Sequence, residues 1–155
     1  MLNRLGDVFE SLNEHEVRYL VIGGIAAVLH GVPRATFDLD LLIDATSENA
    51  QRLLDALKAA GLGTASLTTA DELLAHEITV FKDRVRIDVQ RSTPGLEFAA
   101  GWSRRIEMRH AGQRFFVVSR QDLIASKRAA GRPVDREDVR LLEQAGDDEA
   151  RDGEP

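Results

Sequence analysis

Residues 19–44 read YLVIGGIAAVLHGVPRATFDLDLLID, and their pattern decides the fold. The apolar run from Val17 to Ile22 predicts an interior strand. Gly23-Gly24 predicts a tight turn, because glycine reaches backbone angles closed to other residues and lets a ligand approach the main chain. Ile25 to His30 reads as a short helix, ended by Gly31 and Pro33. A second strand then carries Asp38 and Asp40 among Phe37, Leu39 and Leu41. Side chains alternate faces along a strand, so Asp38 and Asp40 point one way while Leu39 and Leu41 point into the core. Adjacent carboxylates repel each other unless a cation sits between them, and a hard divalent ion prefers oxygen ligands.

Residues 85–90, VRIDVQ, supply a third carboxylate, Asp88, on another predicted strand. There Val85, Ile87 and Val89 share one face, and Arg84, Arg86, Asp88 and Gln90 share the other. On its own that second face reads as solvated, and Asp88 gains weight only from the acids upstream. A strand, glycines and a helix start together present backbone N–H groups to an anion such as phosphate. Arg34 and Thr36 lie on the loop into the Asp38 strand, where they either face solvent or meet a phosphate or the nearby acids. His30 has no second histidine at metal-ligand spacing and reads as a packing residue.

Outside this centre the chain alternates helices and strands. Leu2, Leu5, Val8, Phe9 and Leu12 mark one face of a helix over Leu2 to His15. Thr46-Ser47 caps a helix running to about Ala60, with Leu53, Leu54 and Leu57 buried and Gly61 and Gly63 as the stop. Thr69 and Glu72 resemble a capping box before a short helix. Glu77 to Lys82 pairs with Val85 to Gln90 as a hairpin, and Ile106 to His110 with Gln113 to Val118 as another. Ser119 caps a helix over Gln121 to Ala130, which Gly131 ends, and Asp135 to Gln144 forms the last helix. Lys127, Arg128, Arg132 and Arg136 make this region basic. From Ala145 the composition is acidic and poor in apolar residues, so a disordered tail is expected.

With 155 residues the chain fits one domain with a real core, and no internal repeat or second domain is visible. No apolar run approaches the roughly 18 residues of a membrane span. The start, MLNRLGDVFESLNEHE, is amphipathic and acidic, so no signal peptide is expected. Cysteine is absent, which excludes disulfides and thiolate metal sites and fits a cytoplasmic location. The net charge of −6 argues against general nucleic-acid binding. Most of it comes from Glu143, Asp147, Asp148, Glu149, Asp152 and Glu154, so the body of the protein is near neutral.

Three motifs together, Val21-Ile22-Gly23-Gly24, Phe37-Asp38-Leu39-Asp40-Leu41 and Ile87-Asp88-Val89, resemble the DNA polymerase β-like nucleotidyltransferase superfamily. The run GGIAAVLHGVPRATFDLDLLID is similar to the bacterial minimal branch that includes AbiEii-type toxins. DLIASKRAAGRPVDREDVRLL resembles the Lys…Arg…Asp-x-x-Asp region of that branch, at Lys127, Arg132, Asp135 and Asp138. The resemblance spans about residues 15 to 143. Two departures stand out: many relatives have Gly-Ser at Gly23-Gly24, and many toxin relatives are longer and carry a substrate domain this chain lacks.

The resemblance implies an α/β (α+β) fold, a single mixed sheet with helices packed against it, over 1–143, followed by the acidic tail 144–155. It implies transfer of a nucleoside monophosphate from a nucleoside triphosphate to an acceptor hydroxyl, with loss of pyrophosphate. Asp38, Asp40 and Asp88 are then the catalytic acids and hold two Mg²⁺ ions, with Mn²⁺ as a substitute. Gly23, Gly24, Arg34, Thr36 and Lys127 are the nucleotide-binding residues. The acceptor classes open are RNA such as tRNA, a protein, or an antibiotic, and the lineage suggests a toxin–antitoxin or phage-defence setting with an antitoxin partner or a homodimer. The alternative is a catalytically weak nucleotide-binding or regulatory module of the same fold. A plain α/β domain with surface acids is the remaining reading.

Overall fold

A computed structural model describes residues 2–152. Its centre is a six-stranded mixed sheet in the order β3-β4-β2-β1-β6-β5. These strands are β1 (Tyr19–Ile22), β2 (Asp38–Ile43), β3 (Ile78–Lys82), β4 (Arg86–Gln90), β5 (Ile106–His110) and β6 (Gln113–Val117). β1 runs antiparallel to β2 and parallel to β6, and β2 runs parallel to β4. The outer pairs β3–β4 and β5–β6 are the two antiparallel hairpins. The apolar strand β1 is wholly buried, as an interior strand must be.

Seven α-helices surround the sheet among the described residues: α1 (Gly6–Glu14), α2 (Gly23–Leu29), α3 (Ser47–Ala59), α4 (Ala70–Ala75), α5 (Phe98–Ser103), α6 (Arg120–Ala130) and α7 (Pro133–Asp152). One face of the sheet is covered by α1 and α3. Phe9 of α1 stacks on Phe115 of β6 at 4.7 Å, and Ser11 Oγ donates to the Ala56 carbonyl of α3 at 2.6 Å. The caps follow the local sequence. Thr46, Thr69 and Ser119 each accept a backbone N–H from the third residue on, at Asn49, Glu72 and Asp122. Gly131 ends α6 in the left-handed conformation.

Several boundaries differ from the sequence reading; the expected helix over Leu2 to His15, for one, is a 3-10 turn over Leu2–Arg4 followed by α1 from Gly6. Val17 lies in the link between α1 and β1 rather than in β1: Glu16 turns at φ 55°, and the Val17 N–H bonds back to Leu12. The two glycines form the first turn of α2, which starts at Gly23. α7 continues unbroken past the predicted stop at Gln144, as far as Asp152. Glu149 supplies the physical reason: its carboxylate receives both terminal nitrogens of Arg120, at 2.7 and 2.9 Å, which ties the acidic turns to α6. Residues 153–155 of the predicted tail lie outside the described residues. Among the described residues, no helix is long and apolar enough to cross a membrane.

Candidate active site

Strand pairing sets the geometry of the acids. The parallel register of β2 and β4 places Asp38 beside Arg86 and Asp40 beside Asp88. The antiparallel register of β1 and β2 places Ile22 beside Asp40, so the chain leaves β1 toward the glycines next to that carboxylate. Leu39 and Leu41, which alternate with the acids, are fully buried. The period of two in the sequence thus puts the acids in a row on one face.

Gly23 is required by its backbone angle and by close approach. Gly23 sits at φ +69°, and a Cβ there would overlap the Asp40 carboxylate. A Cβ on Gly24 would lie 2.9 Å from Arg34 Nη2 and 2.9 Å from Thr36 Oγ1.

A cleft of about 430 Å³ opens over this row. The eight candidate site residues line it, namely Asp38, Asp40 and Asp88, then Gly23, Gly24, Arg34, Thr36 and Lys127, whereas Arg128 and Arg136 of the basic run do not. Its far wall is built by α6 and α7, which bring Lys127, Arg132, Asp135 and Asp138 to the same space. Lys127 is only 7% exposed, and its Nζ donates to Asp138 Oδ2 at 2.8 Å and lies 3.7 Å from Asp135 Oδ1. Arg34 Nη2 reaches the same Asp138 oxygen at 3.2 Å. Arg132 forks onto Asp135 at 2.7 and 3.2 Å. Burial works to raise the Asp135 carboxyl, but the Arg132 fork outweighs it and holds the group below the usual carboxylate range.

The acids on the sheet are balanced differently. Arg86 Nε donates to Asp88 Oδ1 at 3.0 Å, Arg86 Nη2 donates to Asp88 Oδ2 at 3.3 Å, and Nε lies 3.7 Å from Asp38 Oδ2. Asp40 has no ion-pair partner among the described residues. Its carboxyl is pushed up to about 6, first by burial and then by the charges of Asp88 and Asp38, with Lys127 and Arg86 pulling back. His30, read as a packing residue, is buried, and its Nε2 lies 2.8 Å from the Val118 carbonyl.

A divalent ion fits this site by chemistry, since the donors are all carboxylate oxygens and Asp40 lacks a counter-charge. As placed, however, no three acids or histidines among the described residues stand close enough together to hold one. The Arg86 guanidinium lies against Asp88 and Asp38. Arg86 is the site residue that sequence reasoning passed over. Its spacing to Asp88 already put the two on one face, but a face alternating with Val85, Ile87 and Val89 reads as solvated until the neighbouring strand is known.

An acid row on adjacent central strands, next to a glycine-started helix, defines the protein as nucleotidyltransferase-like. The chain belongs to the family described as nucleotidyltransferase of unknown function (DUF6036), whose sequence profile matches residues 3–144. No curated protein matches the sequence.

Proposed function

We propose that the protein is a magnesium-dependent nucleotidyltransferase that moves a nucleoside monophosphate from a nucleoside triphosphate to an acceptor hydroxyl and releases pyrophosphate. The observation that carries this reading is the convergence of Asp38, Asp40 and Asp88 with the bare backbone of Gly23-Gly24 in one cleft. Asp38, Asp40 and Asp88 would hold the magnesium, which when bound supplies positive charge to the triphosphate and acidifies the acceptor hydroxyl. The glycine backbone at the start of α2 receives the β- and γ-phosphates, where any side chain would collide. Arg34 and Lys127 set the potential of that wall, although both also balance Asp138. Asp88 accepts the proton of the acceptor hydroxyl as its oxygen attacks the α-phosphorus, and the bond to the pyrophosphate oxygen breaks in line.

The AbiEii-like run 23–44 favours a toxin–antitoxin or phage-defence setting, with RNA such as tRNA, a protein or an antibiotic as acceptor. The second reading, a nucleotide-binding module with weak turnover, is favoured by the Arg86 fork on Asp88 and by the absence of a closed metal cluster among the described residues. Label transfer decides between them. The protein is mixed with Mg²⁺, each α-labelled nucleoside triphosphate in turn, and bacterial RNA, protein or an antibiotic panel. A parallel reaction uses the Asp38→Asn, Asp40→Asn double variant. Label on an acceptor with the wild type alone supports the enzyme. Nucleotide binding without label on any acceptor supports the module.

A further inference from the structure

We propose that Arg86 is a resident counter-cation that competes with a divalent ion for Asp88 and Asp38, and that nucleotide phosphates draw it away, so that nucleotide and metal bind cooperatively. This rests on the nucleotidyltransferase reading above and adds to it the order in which the site is assembled. The cations around the cleft acids fall into two sets, and Arg86 stands outside the cleft lining. Lys127, Arg34 and Arg132 are all engaged with Asp135 and Asp138 of α7. Arg86 is the cation bonded to the metal-binding candidates themselves, and it uses both oxygens of Asp88.

A carboxylate whose two oxygens both accept from one guanidinium keeps only its remaining lone pairs for an ion, and it keeps them beside a fixed positive charge. The Asp88 side chain is 15% exposed and anchored between β2 and β3, so it has little room to turn toward another partner. The Arg86 side chain is 40% exposed, and the acids of this row are its sole side-chain partners among the described residues. Its head can leave Asp88 without breaking any contact that the fold depends on. Asp38 lines the cleft and lies 3.7 Å from Arg86 Nε, so a triphosphate bound against Asp38 would bring negative charge beside that head, and a guanidinium forks onto phosphate as readily as onto carboxylate. The ion pair is partly solvated, so its hold on Asp88 is modest and reversible. That suits a group that must yield once the substrate is present.

The test is a titration of the full chain with Mn²⁺, followed by the electron paramagnetic resonance of the free ion. Wild type, Arg86→Met and Arg86→Lys are compared with and without a non-hydrolysable nucleoside triphosphate analogue. Without nucleotide, Arg86→Met should bind Mn²⁺ about fivefold more tightly than wild type, with Arg86→Lys in between because it keeps the charge and loses the fork. With the analogue present the gap should close, and Arg86→Met should bind the analogue more weakly. An Arg86→Met protein with a wild-type melting curve and no gain in Mn²⁺ affinity overturns the competition. If wild type still binds Mn²⁺ with the analogue in that case, the metal reading survives alone. If no variant binds Mn²⁺ even with the analogue, both readings fall.

Discussion

Asp40→Asn should make the metal-free protein more stable at neutral pH, although it removes a residue at the centre of the site. The folded state raises the Asp40 carboxyl from 3.8 to about 6. At 1.36 kcal/mol per unit, ionising it in the fold costs about 3 kcal/mol more than in the unfolded chain. The folded state holds this proton more tightly, so stability is fully present below the unfolded value and is lost as pH rises through about 6. Asparagine removes the charge but keeps a polar group to desolvate, which leaves a net gain of about 2 kcal/mol at pH 7.5. For a chain of this length that is an increase in Tm of about 4–8 °C. The assay is a pair of thermal melts in chelator, at pH 7.5 and stepwise down to about pH 4. The gain should shrink as wild-type Asp40 takes up its proton. His30 acts with the opposite sign: burial lowers its pKa, so the unfolded chain takes up a proton first as pH falls. That contribution is common to both proteins and cancels in the difference. A variant no more stable than wild type at pH 7.5, or a gain unchanged at low pH, would refute the idea that burial, together with the charges of Asp88 and Asp38, strains an unpaired carboxylate at Asp40.

Asp38→Asn and Asp88→Asn, each alone, should abolish label transfer while leaving circular dichroism and melting close to wild type; transfer within twofold of wild type would remove the residue from the machinery. Lys127→Met should cost about 3 kcal/mol in urea denaturation, because Asp138 and Asp135 lose a buried partner, and should also weaken nucleotide binding; a stability cost with unchanged nucleotide affinity would make Lys127 purely structural. Gly23→Ala should destabilise by about 2 kcal/mol from its positive φ alone, with more from the overlap with Asp40, and should lower nucleotide affinity; a wild-type melt would mean the turn has relaxed. Glu149→Gln should leave the melting temperature unchanged within error, since Leu142 anchors the core end of α7, but should speed amide exchange over 145–152, because the Arg120 pair ties those turns to α6; unchanged exchange would mean that the pair does not hold them.

Local patterns in the sequence carried much of the fold. The alternation in DLDLLI placed Asp38 and Asp40 on one face, and the alternation in VRIDVQ placed Asp88 likewise. The caps at Thr46, Thr69 and Ser119 and the stop at Gly131 were legible because each rests on one side chain and a fixed offset. What escaped depended on partners far away in the chain. Glu149 is read as a tail residue until Arg120 is found opposite it. Asp135 and Asp138 could be named from the resemblance, but that Lys127 is buried between them follows only from the packing of α6 on α7.

The same distinction explains why the charge balance of the cleft could not be read from the sequence. Four acids, Asp38, Asp88, Asp135 and Asp138, and four cations, Arg34, Arg86, Lys127 and Arg132, have clear partners and leave Asp40 as the cleft carboxylate without an ion pair among the described residues. No spacing rule predicts this, because it depends on β4 lying beside β2 in the register that sets Arg86 against Asp38 rather than against Asp40. A shift of that register by two residues would move Arg86 beside Asp40 and separate Asp88 from it. The observed register instead gathers two acids in one row and puts the cation in the next. It therefore leaves a positive charge missing at Asp40, on the side of the row that faces the glycine backbone, where a metal-bound triphosphate would bring one.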